Sequence, residues 1–251
     1  MSALKVSVVI PALNEEATVG GVVEACLRSA SVSQAGEVLV IDSDSTDATA
    51  ARAAAAGARV CNWREVGPQP TRPGKGEALW RGVRAARGDV VVFIDADVTS
   101  VQPEWVDALA APFADPNIHL VKAAYRRELN GGPGGGRVTE LTAKPLLRAL
   151  FPQLNHITQP LAGEYAIRRS TALGVPFVAG YGVEVGLLID VASLHGPTSI
   201  TEAHLSARRH RNRPLAQLAP MAEVVAATIL QRAGAGNSEV PQRQAWNETI
   251  E

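Results

Sequence analysis

The amino-acid sequence predicts an α/β protein in which a mostly parallel central sheet is flanked by helices. Three observations lead there. Strand-like and helix-like segments alternate through the first half of the 251 residues, the pattern of strand–helix–strand crossovers. The strand-like segments are runs of branched and aromatic apolar residues, such as "DVVVFIDAD" at 89–97, as a buried strand requires. Finally, 46% of the chain is hydrophobic against 20% charged, enough apolar material for one sizeable core.

In chain order, "KVSVVIPA" (5–12) reads as the first strand, followed by a helical stretch from about Glu15 to Ala30. "EVLVID" (37–42) is the second strand. It leads into "STDATAARAAAAG", a helix that Ser45 or Thr46 could cap and Gly57 could end. "ARVCNW" (58–63) is a short third strand, "GKGEALWRGVRAARG" (74–88) a helix, and "DVVVFIDAD" the fourth strand. The second half is less regular. "HLVKAAYRREL" (119–129) reads as a strand, "NGGPGGGRV" as a Gly-rich loop, and "TELTAKPLLRAL" as a helix interrupted at Pro145. A compact "GEYAIRRS", a helix around "VEVGLLIDVASLHG", and a long amphipathic helix from Pro214 to Arg232 complete the order. The expectation is one domain over 1–233, with halves of about 1–125 and 126–233, and a frayed, flexible tail over 234–251.

Composition narrows the partners. A net charge of −1 gives no global attraction for nucleic acid or an anionic membrane, so an anionic ligand must be held by local basic groups. Cys26 and Cys61 lack metal-site spacing and form no disulfide framework, which suits a reducing cytoplasm. The N-terminal "MSALKVSVVIPALNEE" turns acidic too soon for a signal peptide, and no apolar run approaches the ~20 residues needed to span a bilayer. A cytoplasmic protein with neither a nucleic-acid nor a membrane partner is expected.

Ligands of such sheets sit beyond the carboxyl ends of the strands. Three ends carry polar clusters: Asn14 and Glu15 after the first strand, Asp42, Ser43 and Asp44 after the second, and Asp95-Ala96-Asp97 after the fourth. Two carboxylates at i and i+2, where a strand opens into a loop, can converge on a hard divalent cation that also holds substrate phosphates. As a bland alternative they are solvated turn residues. Asn14 reads equally well as a hydrogen-bonding group for a base or ribose and as a helix cap. Lys75, between two glycines at a helix start, favours an anion or stands as a solvated lysine. The segment is no P-loop, because Gly76 follows the lysine, and the first strand does not run into a dinucleotide-binding fingerprint. Gly135 and Gly136 with Arg137 and Thr139 make a phosphate cradle or a flexible linker. "ARRHRNRPL" concentrates Arg208, Arg209, Arg211 and Arg213 around His210, favouring the neutral imidazole that binds metal.

Together the segments "VVIPALNEE", "IDSDSTD", "RPGKGEALWRG", "VVVFIDAD", "GGGRVTEL", "QPLAGEYAIRR", "PFVAGYGVEVGLLID" and "HRNRPLAQL" resemble the actinobacterial glucosyl-3-phosphoglycerate synthases, over about Lys5 to Arg232. These are retaining glycosyltransferases with the GT-A nucleotide-diphospho-sugar fold. The resemblance implies transfer of glucose from UDP-glucose to the hydroxyl of 3-phosphoglycerate, with Mg²⁺ or Mn²⁺ held by Asp97 and His210. It places the donor on Pro11, Ala12, Leu13, Asn14, Glu15, Ser43, Lys75, Asp95, Ala96, Asp97, Tyr181, Glu184, Arg208 and Arg213. The acceptor falls to Gly136, Arg137, Thr139 and Asn212, and the anomeric centre is lined by the backbone near Leu161, with Asp95, Lys75 and Glu184 as its polar surroundings. A homodimer is left open. The departures are Ala96 where serine is usual, Asp44 where glycine is usual, Arg209 where glutamate is common, and a shorter Gly-rich loop. A GDP-mannose-dependent relative with another small anionic acceptor, a nucleotidyltransferase, and a sugar-nucleotide binder without turnover are the rival readings.

Overall fold

The computed structural model describes residues 4–125, 127–129, 132–133, 136–206, 208–209, 215–236 and 239–249. The elements run β1 (Val6–Ala12), α1 (Val19–Leu27), α2 (Ala30–Ala35), β2 (Glu37–Asp42), α3 (Thr49–Ala55), β3 (Arg59–Asn62), α4 (Lys75–Ala85), β4 (Val90–Phe93) and α5 (Pro103–Ala110). The second half continues with β5 (Leu120–Ala124), β6 (Arg127–Leu129), β7 (Gly132–Pro133), α6 (Lys144–Leu150), β8 (Tyr165–Arg168), α7 (Arg169–Leu173) and β9 (Phe177–Val178). It closes with α8 (Val183–His195), β10 (Ile200–His204), β11 (Arg208–Arg209), α9 (Leu215–Arg232) and β12 (Gln242–Arg243).

Among the described residues the central sheet has seven strands in the order β10-β5-β8-β4-β1-β2-β3. β1 is parallel to β2 and to β4, β2 to β3, and β5 to β10. β8 alone reverses, running antiparallel to both β4 and β5. The sheet is buried on both faces, which is why its central strands are apolar throughout rather than alternating. β8 left little trace in the sequence because four residues ending in an arginine become a central strand only through the slot between β4 and β5.

Several local expectations are corrected. The helix expected from Glu15 to Ala30 is two: α1 stops at Leu27, and the Ser29 hydroxyl caps α2 by accepting from the Val32 amide at 3.3 Å. Neither Ser45 nor Thr46 caps α3. Asp47 accepts from the Thr49 amide at 2.9 Å, while Ser45 and Thr46 are taken by Asn14. Pro145 does not interrupt its helix. A π-helical turn at Thr139–Ala143 runs straight into α6, and Pro145, which lacks an N–H, follows this widened turn without breaking the helix.

The largest correction concerns the frayed tail. Residues 239–249 are packed. β12 pairs antiparallel with β9, and the Trp246 indole stacks on Trp80 with centroids 3.6 Å apart and planes 10° from parallel. Trp246 donates its indole N–H to the Trp80 carbonyl at 2.8 Å, and Trp80 donates its own to the Gln244 carbonyl at 3.0 Å. Arg243 reaches the fully buried Glu77 at 2.7 Å, and Glu77 also takes Arg81 from one turn along α4 at 2.7 Å. Two anchors in a polar stretch make no periodic pattern, so their partners on α4 are legible only in three dimensions. Among the described residues no helix is long and apolar enough to cross a membrane.

Candidate active site

The carboxyl ends of β4, β1, β2 and β3 stand side by side and open onto a cleft of about 400 Å³. Pro11, Ala12, Leu13 and Glu15 enter from the end of β1, Ser43 from β2, and Asp95, Ala96 and Asp97 from the loop after β4. Lys75 comes from the start of α4 and Tyr181 from the turn before α8. Trp63, Gly74, Ala78 and Gly180 also line the cleft and were not singled out as binding residues from the sequence.

At the floor of the cleft Lys75 Nζ lies 2.5 Å from Asp95 Oδ1 and 2.8 Å from Glu184 Oε1. Glu184 stands behind Lys75, in the first turn of α8, and is buried. Burial alone would depress the lysine pKa, but Asp95 and Glu184 outweigh it and hold the ammonium well above its ordinary value. Two carboxylates around one ammonium present hydrogen-bond acceptors, the chemistry that grips hydroxyls. The glycines around Lys75 have a packing reason. A Cβ at Gly76 would stand 1.8 Å from the Val178 carbonyl oxygen, and one at Gly74 would stand 2.3 Å from that of Ala179. Gly163 is excluded from bearing a side chain by Asp95 itself, whose Oδ2 would lie 2.3 Å from its Cβ. The backbone at Gly163 therefore backs directly onto the Lys75–Asp95 pair, two residues after Leu161.

Beneath this cluster Lys122, on β5, is fully buried; its Nζ donates to the Ala162 carbonyl at 2.8 Å and lies 4.4 Å from the Tyr165 ring centroid. Burial lowers its pKa to about 8 from 10.5. Between those values the unfolded chain binds more protons than the folded one, so stability from this site rises with pH through that window. The free-energy difference between the natural protein and Lys122→Met is expected to shift in favour of lysine by about 3 kcal/mol from pH 8 to 10.5, read by denaturant titration. A pH-independent difference would refute the shift.

Not every expected residue lines the cleft. Asn14, at φ +56°, ties the β1 loop to the β2 loop: its amide oxygen accepts from the Thr46 amide at 2.9 Å, and its own amide donates to Ser45 at 3.0 Å. Gly136 (φ +72°), Arg137 and the buried Thr139 stand at the start of the π-helical turn rather than on the cleft wall. Arg208 pairs through its backbone with Arg127, and His210, Asn212 and Arg213 lie outside the described residues. Among the described residues no group of three or more acidic, histidine or cysteine side chains could hold a metal. Of the two metal ligands that the resemblance implies, Asp97 is the one among the described residues; it lines the cleft, and its hard oxygens suit Mg²⁺ or Mn²⁺.

Residues 7–177 match glycosyl transferase family 2. Glucosyl-3-phosphoglycerate synthase of Mycolicibacterium paratuberculosis is 49% identical over 245 residues, covering 94% of this chain and 74% of that protein. That of Mycolicibacterium smegmatis is 48% identical over 242 residues, covering 94% of this chain and 80% of that one. The crystal structure of glucosyl-3-phosphoglycerate synthase from Mycobacterium tuberculosis, in complex with Mn²⁺, UDP-glucose and phosphoglyceric acid, superposes with a TM-score of 0.90. Its identity is 42%, and the match covers 98% of this chain and 91% of that one. With its seven-stranded sheet, its cleft at the carboxyl edge and these relatives, this chain belongs to the glucosyl-3-phosphoglycerate synthases of glycosyl transferase family 2 and has their GT-A fold.

Proposed function

We propose that this protein transfers glucose from UDP-glucose to the hydroxyl of 3-phosphoglycerate with retention of configuration, in a reaction that requires Mg²⁺ or Mn²⁺. The observation that carries this reading is the convergence of Lys75, Asp95 and Glu184 at the floor of a cleft whose rim bears Asp97. The metal would be held by Asp97, with His210 as the second protein ligand by family resemblance; when bound it stabilises charge on the departing diphosphate.

The chain's own groups do the rest. The uridine lies along the ends of β1 and β2, where Pro11, Ala12, Leu13, Glu15 and Ser43 face the cleft. The carboxylates of Asp95 and Glu184 accept from hydroxyls of the sugar, and Lys75 between them fixes their geometry, so the acceptors are oriented before the sugar arrives. The backbone near Leu161 lines the reacting carbon beside that cluster, with Gly163 against Asp95 and the Ala162 carbonyl held by Lys122. Gly136, Arg137, Thr139 and Asn212 receive the acceptor's phosphate, and Arg208 and Arg213 offset phosphate charge. The hydroxyl attacks the face that the diphosphate leaves, and a diphosphate oxygen takes its proton, so no enzymatic nucleophile is needed. The protein acts in the cytoplasm on small molecules, as a single chain or a homodimer, without a nucleic-acid or membrane partner.

The test is a matrix of UDP- and GDP-sugars against 3-phosphoglycerate and glycerate, with Mg²⁺ and then with chelator. Metal-dependent transfer from UDP-glucose to 3-phosphoglycerate supports the proposal; binding without turnover for any pair overturns it. Within the same assay, Arg137→Ala is expected to raise the acceptor KM about tenfold or more while the donor KM moves less than threefold, the loss of one charge-assisted contact. Equal effects on both constants would remove Arg137 from the acceptor site.

A further inference from the structure

The cleft crosses four neighbouring strand ends in the order β4, β1, β2, β3, and β3 is the last strand on that side. Asp97 follows β4 and Trp63 follows β3, so the two bound opposite ends of the cleft. A nucleoside diphosphate with its pyrophosphate at Asp97 directs its base towards Trp63.

Trp63 is fixed from three sides. Its indole N–H donates to Asp44 Oδ2 at 2.9 Å, its backbone carbonyl accepts from the buried Arg81 at 3.0 Å, and its ring packs on the apolar core beneath α4. Asp44 is itself anchored. It sits at φ +64°, a left-handed conformation costly for a residue with a Cβ, and its carboxylate also takes Arg64 at 2.7 Å and the Asn62 amide at 3.1 Å. Strain retained at a cleft and secured by three partners points to a use for the geometry it holds. Ala78 and Ser43, the neighbouring wall residues, are small, so the indole is the bulk that ends the cleft on this side.

We propose that Trp63, held in place by Asp44, sets the length of the base subsite and thereby makes this enzyme select pyrimidine over purine nucleoside diphosphates. The inference rests on the reading of the cleft as a sugar-nucleotide site. A purine carries one fused ring more than uracil, and an end wall tied by three anchors cannot yield without breaking one of them. Forcing extra volume against packed, rigid side chains corresponds to roughly ten- to a hundredfold in affinity. Asp44 acts through Trp63 and is a positioning residue.

The experiment measures kcat/KM with UDP-glucose, GDP-glucose and ADP-glucose, at saturating Mg²⁺ and 3-phosphoglycerate, for the natural protein, Trp63→Ala and Asp44→Gly. Calorimetric titration of UDP, GDP and ADP gives the same ratios without turnover. Glycine at 44 keeps the positive φ and removes only the carboxylate. The natural protein should favour the uridine donor, Trp63→Ala should narrow that preference at least tenfold, chiefly through the purine KM, and Asp44→Gly should narrow it by a smaller factor. Should Trp63→Ala fail to fold, Trp63→Leu and Asp44→Gly carry the same comparison. A natural protein without pyrimidine preference, or ratios unchanged in the folded variants, overturns the inference. A protein that neither binds UDP nor uses UDP-glucose overturns instead the reading of the cleft on which it rests.

Discussion

Asp97→Ala is expected to lower kcat by about 10³-fold or more while leaving the circular dichroism spectrum and melting temperature unchanged. Asp97 lies in the loop beyond β4, half-buried at the cleft rim, while the neighbouring Ala96 and Val98 are buried and carry the apolar packing of this loop. The proposed chemistry does depend on Asp97. A departing nucleoside diphosphate gathers charge in the transition state, and removing one well-placed stabilising group in such a site costs on the order of 10²–10³ in rate. As the proposed metal ligand, Asp97 would take with it a whole cation's stabilisation, hence the larger figure. Initial-rate assays across a Mg²⁺ series provide the check. Transfer by Asp97→Ala at even a tenth of the natural rate would show that the cation is held elsewhere.

Glu77→Ala is the substitution with the largest expected effect on stability, about 3–5 kcal/mol. Its carboxylate is fully buried between Arg81 and Arg243, and both guanidinium groups depend on it for their counter-charge. Removing it leaves two cations out of water without a carboxylate, on neutral partners: the carbonyls of Trp63, Val66 and Gln69 for Arg81, that of Pro70 for Arg243, and the Trp80 ring for both. For a chain of this size such a loss lowers the melting temperature by roughly 10 °C, read by calorimetry. The disturbance should also release the C-terminal segment from α4, so limited proteolysis near residues 239–249 should accelerate with it. A variant as stable as the natural protein would mean that the cluster relaxes to admit water. The same cluster braces the donor site: Arg81 holds the Trp63 carbonyl, Arg243 belongs to the strand paired with β9, and β9 leads into the Val178–Ala179 backbone packed on Gly74 and Gly76.

Much of the donor half was legible because its signals are local. An apolar run followed by polar residues marks a strand and its carboxyl end, whatever the strand pairs with. That is why Asn14 and Glu15, Asp42 to Asp44, and Asp95 and Asp97 could be named in advance; of these Glu15, Ser43, Asp95 and Asp97 line one cleft, together with Pro11, Ala12, Leu13 and Ala96, which the family resemblance named. The segments specific to the family extended this to Tyr181 and Glu184, whose chain positions carry no local pattern of their own.

What the sequence by itself determined was the class of fold, the order of its strands and helices in the first half, and the residue types offered at three strand ends. Tertiary structure alone decided the reversal of β8, the packing of residues 239–249, the pairing of Lys75 with Asp95 and Glu184, and the placing of Trp63 at the end of the cleft. The physical reason is separation along the chain. Hydrophobic periodicity and capping act over a few residues, whereas Lys75 and Glu184 or Trp80 and Trp246 meet only when distant segments close on one another.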